Sequence, residues 1–270
     1  MIIYKVRNII LSFLSLLLGR KIFYNFNLSI IKLFLVFIGN NIFYSSRVSG
    51  EEFFLKKICN EDPHLCIDVG ANIGTYSSYI LRNSNSKVVA FEPQMKPYKV
   101  LNKIKKIYPN RINVFNFGLS NKNKNSNLYY DKNNSLWANF NPEVNKIDYL
   151  KNNKFIQKCK VKKLDYIYSK NKNLFNGKIK LLKVDTEGYE YEILCGALKF
   201  LKKKKPKYIL IEFNWHHLFK DVSLYKISKL LTNYDVFKIL PHSSGLLKID
   251  PIRPENNYYN YSNYVFKLKK

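Results

Sequence analysis

The feature that most constrains the fold is a series of five short apolar runs between residues 65 and 214. The runs read "LCIDVG" (65–70), "KVVAFEP" (87–93), "RINVFNFG" (111–118), "GKIKLLKVD" (177–185) and "KYILIEFN" (207–214). Such runs, bounded by Gly, Pro or polar residues, are typical of buried strands. Segments with helical periodicity lie between most of them, and strands that alternate with helices form a mostly parallel sheet. The pattern predicts an α/β domain whose ligands bind at the carboxyl ends of the strands.

The remaining segments complete this α/β pattern. Residues 75–82, 97–108 and 223–231 are predicted helices, and residues 234–240 and 263–269 are predicted closing strands with a turn at Gly245. After the fourth run, one continuous helix is predicted from a single apolar stripe: Ile193, Leu194, Ala197, Leu198 and Leu201. Residues 128–130 and 158–164 predict short strands around an insertion, Asn121–Lys160.

Two apolar segments precede the domain, at residues 8–19 and 28–39. Each is shorter than the roughly 18–20 residues that a membrane span needs. We interpret them as two short helices that cover the domain or lie on a membrane surface. A signal anchor is the alternative, because Lys5 and Arg7 precede the first segment and no small-x-small cleavage site follows it. The chain is thus divided into a helical extension, 1–50, and a domain, 51–270.

Charge and cysteine content narrow the possible partners and compartment. The chain has 46 Lys and Arg against 19 Asp and Glu, for a net charge of +27. Such an excess can indicate nucleic acid or a membrane surface as a partner. Lys alternating with Asn, as in residues 121–127, instead favours a general compositional bias. The four cysteines form no C-x-x-C pair, so we expect buried free thiols in a reducing, cytoplasmic compartment.

The first run ends in "DVGANIGTY", residues 68–76. A dinucleotide-binding G-x-G-x-x-G motif would need glycines at positions 72 and 75, which are Asn and Thr. The acid-x-Gly-x-Gly-x-Gly loop of S-adenosylmethionine methyltransferases fits at Asp68, Gly70 and Gly74. Asn72 replaces the middle glycine, and Asn is the best substitute where a positive φ is needed.

The second run ends in Glu92, eighteen residues after Gly74. A carboxylate there can accept hydrogen bonds from both hydroxyls of a ribose. The alternative is an acid that only caps the next helix, before Pro93. The glycine loop upstream favours the ribose role.

Five motifs occur in one order: "DVGANIGTYS", "AFEP", "FGLS", "VKKLDYI" and "LLKVDTEGYEYEILCGA". Over roughly residues 65–215 the chain resembles the FkbM family of methyltransferases. The resemblance implies the class I methyltransferase (Rossmann-like) fold, a mostly parallel seven-stranded sheet with one antiparallel strand and helices on both faces. It implies S-adenosylmethionine as the methyl donor, and O-methylation of a sugar, glycan or other small-molecule hydroxyl. The implied donor-binding residues are Asp68, Gly70, Asn72 and Gly74 at the methionine end, Glu92 at the ribose, and Phe117–Ser120, with Gly118, at the adenine.

The fourth run ends in Asp185 and Glu187, beside the expected position of the donor methyl. A hydroxyl acceptor gains from a base that removes its proton as it attacks. Asp185 is the first candidate for that base, and Glu187 either orients the acceptor or caps the next helix. His216 and His217 are expected on the surface or in packing, with one of them as a fallback base.

Other interpretations of the sequence stay open. Glu212 and Asn214 share one face of the fifth strand, where they could join Asp185 around Mg²⁺, although hydrogen bonding to an acceptor is favoured. A nucleic-acid-binding or RNA-modifying protein on the same fold is the alternative function. A catalytically silent protein held on a membrane by residues 1–40 is the third possibility. The insertion, with Trp137, is expected to shape the acceptor pocket.

Overall fold

The computed structural model describes residues 2–40, 46–61, 64–242 and 245–270. Its helices are α1 (Ile2–Leu18), α2 (Tyr24–Phe37), α3 (Glu51–Cys59), α4 (Thr75–Asn83), α5 (Met95–Ile107), α6 (Leu164–Lys170), α7 (Glu190–Cys195), α8 (Leu198–Lys204) and α9 (Leu224–Leu230). Its strands are β1 (Leu65–Val69), β2 (Lys87–Phe91), β3 (Ile112–Phe115), β4 (Gly118–Leu119), β5 (Lys124–Tyr130), β6 (Phe155–Lys162), β7 (Ile179–Val184), β8 (Tyr208–Phe213), β9 (Tyr234–Ile239), β10 (Leu246–Ile249) and β11 (Ser262–Leu268).

The central sheet has the order β10-β9-β11-β8-β7-β1-β2-β3. The five apolar runs supply β1, β2, β3, β7 and β8, which pair in parallel, as the sequence predicts. β11 lies antiparallel between β8 and β9. The α/β class I methyltransferase architecture is therefore confirmed, but the sheet has eight strands where the resemblance implied seven. The additional strand, β10, is a four-residue hairpin partner of β9, and its apolar residues are too few and too exposed to distinguish it from a loop.

Alternation along the strands divides the core between the two faces of the sheet. In β1, Leu65, Ile67 and Val69 join one apolar cluster, while Cys66 joins the other. The first cluster is completed by α6 to α9, and the second by α3, α4 and α5. Because β1 and β7 are buried along their whole length, their carboxyl ends are held rigidly.

The continuous helix predicted after the fourth run is wrong. The structure has two short helices, α7 and α8, interrupted at Gly196 and Ala197. A Cβ on Gly196 would lie 2.1 Å from the carbonyl oxygen of Ser120, so the chain makes a close contact there that only glycine allows. The Asp165 carboxylate then caps α8, accepting hydrogen bonds from the backbone N–H groups of Lys199 and Phe200 at 3.1 and 2.7 Å.

The N-terminal extension forms α1 and α2, and no residue of α2 is buried. The described residues of α1 are likewise exposed, so the interpretation that these helices cover the domain is wrong. Within the described ranges, no single helix is long and apolar enough to cross a membrane. The stretches Tyr4–Leu18 and Lys21–Phe37 pass that test only as a pair, bent by 87° at their junction.

The insertion forms a second, three-stranded sheet in the order β4-β6-β5. Its predicted strands are confirmed as parts of β5 and β6. The backbones of Tyr129 and Asn139 exchange two hydrogen bonds, and the Asn153 side chain donates to the Trp137 carbonyl at 2.8 Å. These bonds order residues 135–140 within the insertion, and most of these residues form one wall of the site described next.

Candidate active site

A cavity of about 480 Å³ opens at the carboxyl ends of β1, β2 and β7. β1 lies between β2 and β7 in the sheet, so the strand order reverses there. Open α/β sheets bind their ligands at this switch point. The walls come from the loop after β1, the end of β2, the turn after β7, the insertion, and residues 261–263 at the start of β11.

The loop after β1 has the backbone that its glycine spacing predicts. Gly70, Asn72 and Gly74 all have a positive φ, at 80°, 46° and 85°. Gly70 and Asn72 line the cavity, whereas Gly74 is not among its walls. A Cβ on Gly74 would lie 2.5 Å from the side chains of Leu101 and Ile104, so this glycine allows α4 to begin against α5.

Gly70 brings the β1 loop against the end of β7. A Cβ there would lie 1.8 Å from the carbonyl oxygen of Asp185. We expect Gly70→Ala to lower the free energy of unfolding by about 1–3 kcal/mol beyond its backbone cost, because the two strand ends must separate. Gly177→Ala is the matched control, since Gly177 has a φ of 91° and no neighbour within 4 Å of the new Cβ. Urea unfolding of both variants measures the difference, and equal destabilisation would contradict this role of Gly70.

Asp68 supports the loop from beneath. Its carboxylate is buried and accepts a hydrogen bond from the Ser77 hydroxyl at 2.6 Å. It lies 3.7 Å from the Nζ of Lys183 and is not among the residues that line the cavity. The resemblance implied that Asp68 contacts the donor directly. The structure instead places Asp68 beneath the loop, outside the cavity lining.

Glu92 lines the cavity and fixes the β1 loop from the end of β2. One of its carboxylate oxygens accepts the backbone N–H of Asn72 at 2.7 Å, and the other accepts that of Gln94 at 2.7 Å. Each oxygen keeps a second lone pair for a ligand hydroxyl. Burial raises the pKa of Glu92 to about 7, although the hydrogen bonds from these two N–H groups lower it.

Apolar and aromatic groups form the far wall. Gly118 and Leu119 line the cavity together with Phe91, Trp137 and Phe140. A Cβ on Gly118 would lie 3.1 Å from the Phe140 ring, so the insertion packs directly over this glycine. Phe117 instead packs in a cluster with Phe91 and Phe115, outside the cavity lining. Of the predicted adenine segment, Gly118 and Leu119 are therefore the residues that reach the cavity.

Three carboxylates converge at the β7 and β8 end of the cavity. Asp185, Glu187 and Glu212 each offer one oxygen, and these oxygens lie within 4.8 Å of one another. Burial, together with the negative charges of Asp185 and Glu187, raises the pKa of Glu212 well above its usual range. Burial also raises the pKa of Glu187, although His216 opposes the shift. The oxygen donor set of the cluster suits a divalent cation.

Lys183 joins this cluster and was missed by the sequence reasoning. Its Nζ donates to Asp185 Oδ2 at 2.9 Å and lies next to Asp68. Burial would lower the pKa of Lys183, but Asp185 and Asp68 outweigh it and raise that pKa. Lys183 therefore stays charged and holds the Asp185 side chain in place. A lysine within a fully buried strand was the signal that could have revealed it.

Glu187 faces the cluster and does not cap the next helix. Its φ is 55°, and its carboxylate accepts from the Asn214 amide at 3.2 Å and lies 3.0 Å from His216 Nδ1. α7 begins later, with no side-chain cap. The Asn214 amide nitrogen also donates to Glu212 at 2.9 Å, while its oxygen accepts the His216 N–H. Asn214 therefore has no oxygen directed at the cluster. The sequence predicted Asn214 as a possible Mg²⁺ ligand beside Asp185 and Glu212, and the structure has Glu187 in that position.

The two histidines are buried, which agrees with the packing role and excludes the surface position among the two alternatives expected for them. His216 pairs with Glu187, which raises the pKa of His216 against the effect of burial. His217 Nε2 lies 2.9 Å from Glu190, and this pairing lowers the pKa of Glu190 despite its burial. Neither histidine lines the cavity, so the fallback role as a base has no support from their positions.

The sequence profile described as the methyltransferase FkbM domain matches residues 68–236. That range holds the β1 loop, Glu92 and the carboxylate cluster. The chain belongs to the FkbM methyltransferase family. Membership confirms the predicted enzyme class, and it implies S-adenosylmethionine as the methyl donor.

This FkbM protein is also similar to solved structures, at low sequence identity. The methyltransferase FkbM from Methylobacillus flagellatus KT is 16% identical, with a TM-score of 0.44 over 76% of this chain and 43% of that chain. An rRNA methylase from Streptococcus thermophilus is 8% identical, with a TM-score of 0.43, over 85% and 99% of the two chains. A SAM-dependent methyltransferase from Aquifex aeolicus is 12% identical, with a TM-score of 0.42, over 83% and 90%. The chain thus spans less than half of the Methylobacillus protein, and no curated protein matches it.

The cavity of this FkbM protein fits the donor by the groups that line it. Glu92 has a free lone pair on each carboxylate oxygen for a ribose, and Gly70 leaves backbone space at the methionine end. Gly118 and Leu119, with Phe91, offer an apolar flank for a base. Asn72 would lie between the methionine and ribose ends, and its side chain already accepts a hydrogen bond from Ser135 at 3.2 Å.

Proposed function

We propose that the protein methylates a hydroxyl group of a sugar, glycan or other small molecule. The observation that carries this proposal is the acidic lining of the cavity. Among the described residues that line it, five carry a carboxylate and Lys183 is the one cation; the acids are Glu51, Glu92, Asp185, Glu187 and Glu212. S-adenosylmethionine bears a positive sulfonium centre, which such a cavity attracts.

The same charge argues against a nucleic-acid acceptor. Phosphodiester groups would be brought towards several carboxylates, and like charges at close range are destabilising. The net charge of +27 supports the RNA-modifying alternative, because a basic surface attracts RNA. The polarity inside the cavity is opposite to that of the whole chain, and the chemistry takes place in the cavity. We therefore favour an uncharged hydroxyl as the acceptor.

Asp185 is the residue that we assign to the acceptor proton. S-adenosylmethionine supplies an activated methyl group, so the protein mainly positions and deprotonates the acceptor. The acceptor oxygen forms a bond to the methyl carbon as the carbon–sulfur bond breaks and its electron pair goes to sulfur. The hydroxyl proton passes to Asp185, whose carboxyl group accepts a hydrogen bond from Lys183 Nζ at 2.9 Å. Burial raises the pKa of Glu212, which favours its protonated form, and a protonated carboxyl group can donate a hydrogen bond to the acceptor.

Methyl transfer with labelled donor tests the proposal. Nucleotide sugars, glycan oligomers, small hydroxyl compounds and total RNA are incubated separately with the protein and the donor. We expect the label in a carbohydrate or small-molecule acceptor, released only under conditions that cleave ethers. Label found in RNA alone would support the alternative function and overturn this one.

A further inference from the structure

The N-terminal helices form a large exposed apolar surface. Apolar side chains of α1, of α2 and of the link between them are exposed to solvent, among them Ile9, Leu16, Ile22, Phe34 and Phe37. Most apolar patches on single proteins are a few hundred Å², and larger patches mark sites for proteins or membranes. Because no described residue of α1 or α2 is buried, the domain itself does not use this surface.

The charge of the extension identifies the occupant. Residues 1–50 contain no Asp or Glu and six basic residues: Lys5, Arg7, Arg20, Lys21, Lys32 and Arg47. A second copy of the chain would bring these like charges together. An anionic lipid surface would attract them while it takes up the apolar side chains.

The pattern within the helices fits a position in the plane of the bilayer. Lys5, Asn8, Ser12 and Ser15 follow one stripe of α1, and the rest of the helix is apolar except for Arg7. The bend of 87° between the two helices prevents a single straight span. The amphipathic α1 and the mostly apolar α2 can both lie at the boundary between headgroups and acyl chains.

The extension joins the domain at the edge of the cavity. Gly39, two residues after α2, lines the cavity, and its Cβ position lies 2.6 Å from the carbonyl oxygen of Ile239. Asn40 is buried, and its side-chain oxygen accepts from Lys238 at 2.9 Å and from Ser262 at 2.6 Å. Ser262 also lines the cavity. A membrane surface that binds α2 would therefore lie next to the cavity.

We propose that α1 and α2 dock on an anionic lipid bilayer, and that the acceptor hydroxyl belongs to a saccharide or other group attached to a lipid in that bilayer. The docking needs only the extension, whereas the acceptor class rests on the proposed function. Docking restricts the acceptor and the cavity to the same surface, which raises their effective concentration.

Vesicle flotation of the full chain tests the docking. Vesicles of phosphatidylcholine alone are compared with equal mixtures of phosphatidylcholine and phosphatidylglycerol. We expect stronger binding to the mixed vesicles, and a loss of about tenfold or more in partitioning for Leu16→Asp and for Ile22→Asp. Leu16 and Ile22 are 68% and 81% exposed, so the fold should tolerate both changes.

Ile107→Asp and Ile252→Asp are the matched controls, because these side chains are 69% and 60% exposed on the domain and undergo the same change of charge. They should bind vesicles like the wild type. Equal binding by all five proteins, or a dimer in sedimentation with no vesicle binding, would overturn the docking. Resistance of the bound protein to alkaline extraction would also overturn it, in favour of a membrane-spanning pair.

Labelled donor tests the acceptor class. The protein is incubated with membranes and with cytosol from native cells that lack it. Label that extracts into organic solvent from the membranes supports the proposal, and label in the cytosol alone overturns its acceptor half. Absence of label from every fraction, with vesicle binding intact, would count against the proposed function and would leave the docking established.

Discussion

Glu92→Gln is expected to weaken the binding of S-adenosylmethionine by roughly 100- to 1000-fold. The carboxylate would accept two ribose hydroxyls, and hydrogen bonds to a charged acceptor contribute about 1.5–3 kcal/mol each. Gln keeps the shape of the side chain but loses the charge and one acceptor oxygen. Glu92 accepts hydrogen bonds from the backbone N–H groups of Asn72 and Gln94. In the Gln variant, the side-chain NH₂ group would face one of these two donors and could not accept its hydrogen bond. Isothermal titration calorimetry measures the change.

The affinity of the wild type should also depend on pH in a defined direction. The pKa of Glu92 is raised to about 7 by burial, and the donor binds the carboxylate form. Below pH 7 the protein must first release a proton, so the affinity should fall by up to about tenfold per pH unit. Above about pH 7 the affinity should level off.

Glu143→Gln is the matched control, because Glu143 is an exposed acid of the insertion that pairs with Lys146. It should bind the donor like the wild type. In Glu92→Gln the pH dependence between 6 and 8 should disappear. Wild-type affinity in Glu92→Gln would remove Glu92 from the donor site.

Asp185→Asn is expected to lower turnover by about 10²- to 10⁴-fold, the range attributed to a general base. Asn has nearly the shape of Asp but cannot take the acceptor proton. Lys183 keeps Asp68 as a neighbour at 3.7 Å, so the core beneath should survive. The affinity for the donor should change by less than about threefold, because the loss belongs to the chemical step. Single-turnover kinetics with labelled donor measures the step.

The matched control for Asp185→Asn is Asp148→Asn, since Asp148 forms a comparable lysine pair, with Lys151 at 2.7 Å, on the exposed surface. Its turnover should equal that of the wild type. A variant of Asp185 that loses donor affinity and turnover in equal proportion would show a binding role for Asp185. Unchanged turnover would transfer the role of base to Glu187 or Glu212.

The parallel half of the sheet could be predicted because its strands are continuous apolar runs with both faces buried. β10 could not, since a short exposed hairpin strand gains its order from β9 and not from its own residues. The break between α7 and α8 also escaped prediction. It depends on the contact of Gly196 with the Ser120 carbonyl, which an apolar stripe along one segment does not encode.

The site was predictable where a residue type is tied to a backbone position. Asn72 adopts the positive φ that its place in the glycine loop required, and Glu92 and Asp185 lie at strand ends that line the cavity. The cluster around Asp185 was not predictable in detail, because its pairings are formed in space. Lys183 with Asp185 and Glu187 with His216 both depend on how the ends of β7 and β8 lie beside each other.

A crystal structure with S-adenosylhomocysteine bound tests the central claim most directly. We expect the ribose hydroxyls within hydrogen-bond distance of both Glu92 oxygens and the adenine beside Gly118 and Leu119. We expect the sulfur to point at the cluster of Asp185, Glu187 and Glu212. Binding outside this cavity, or in the reverse orientation with the sulfur away from Asp185, would contradict it.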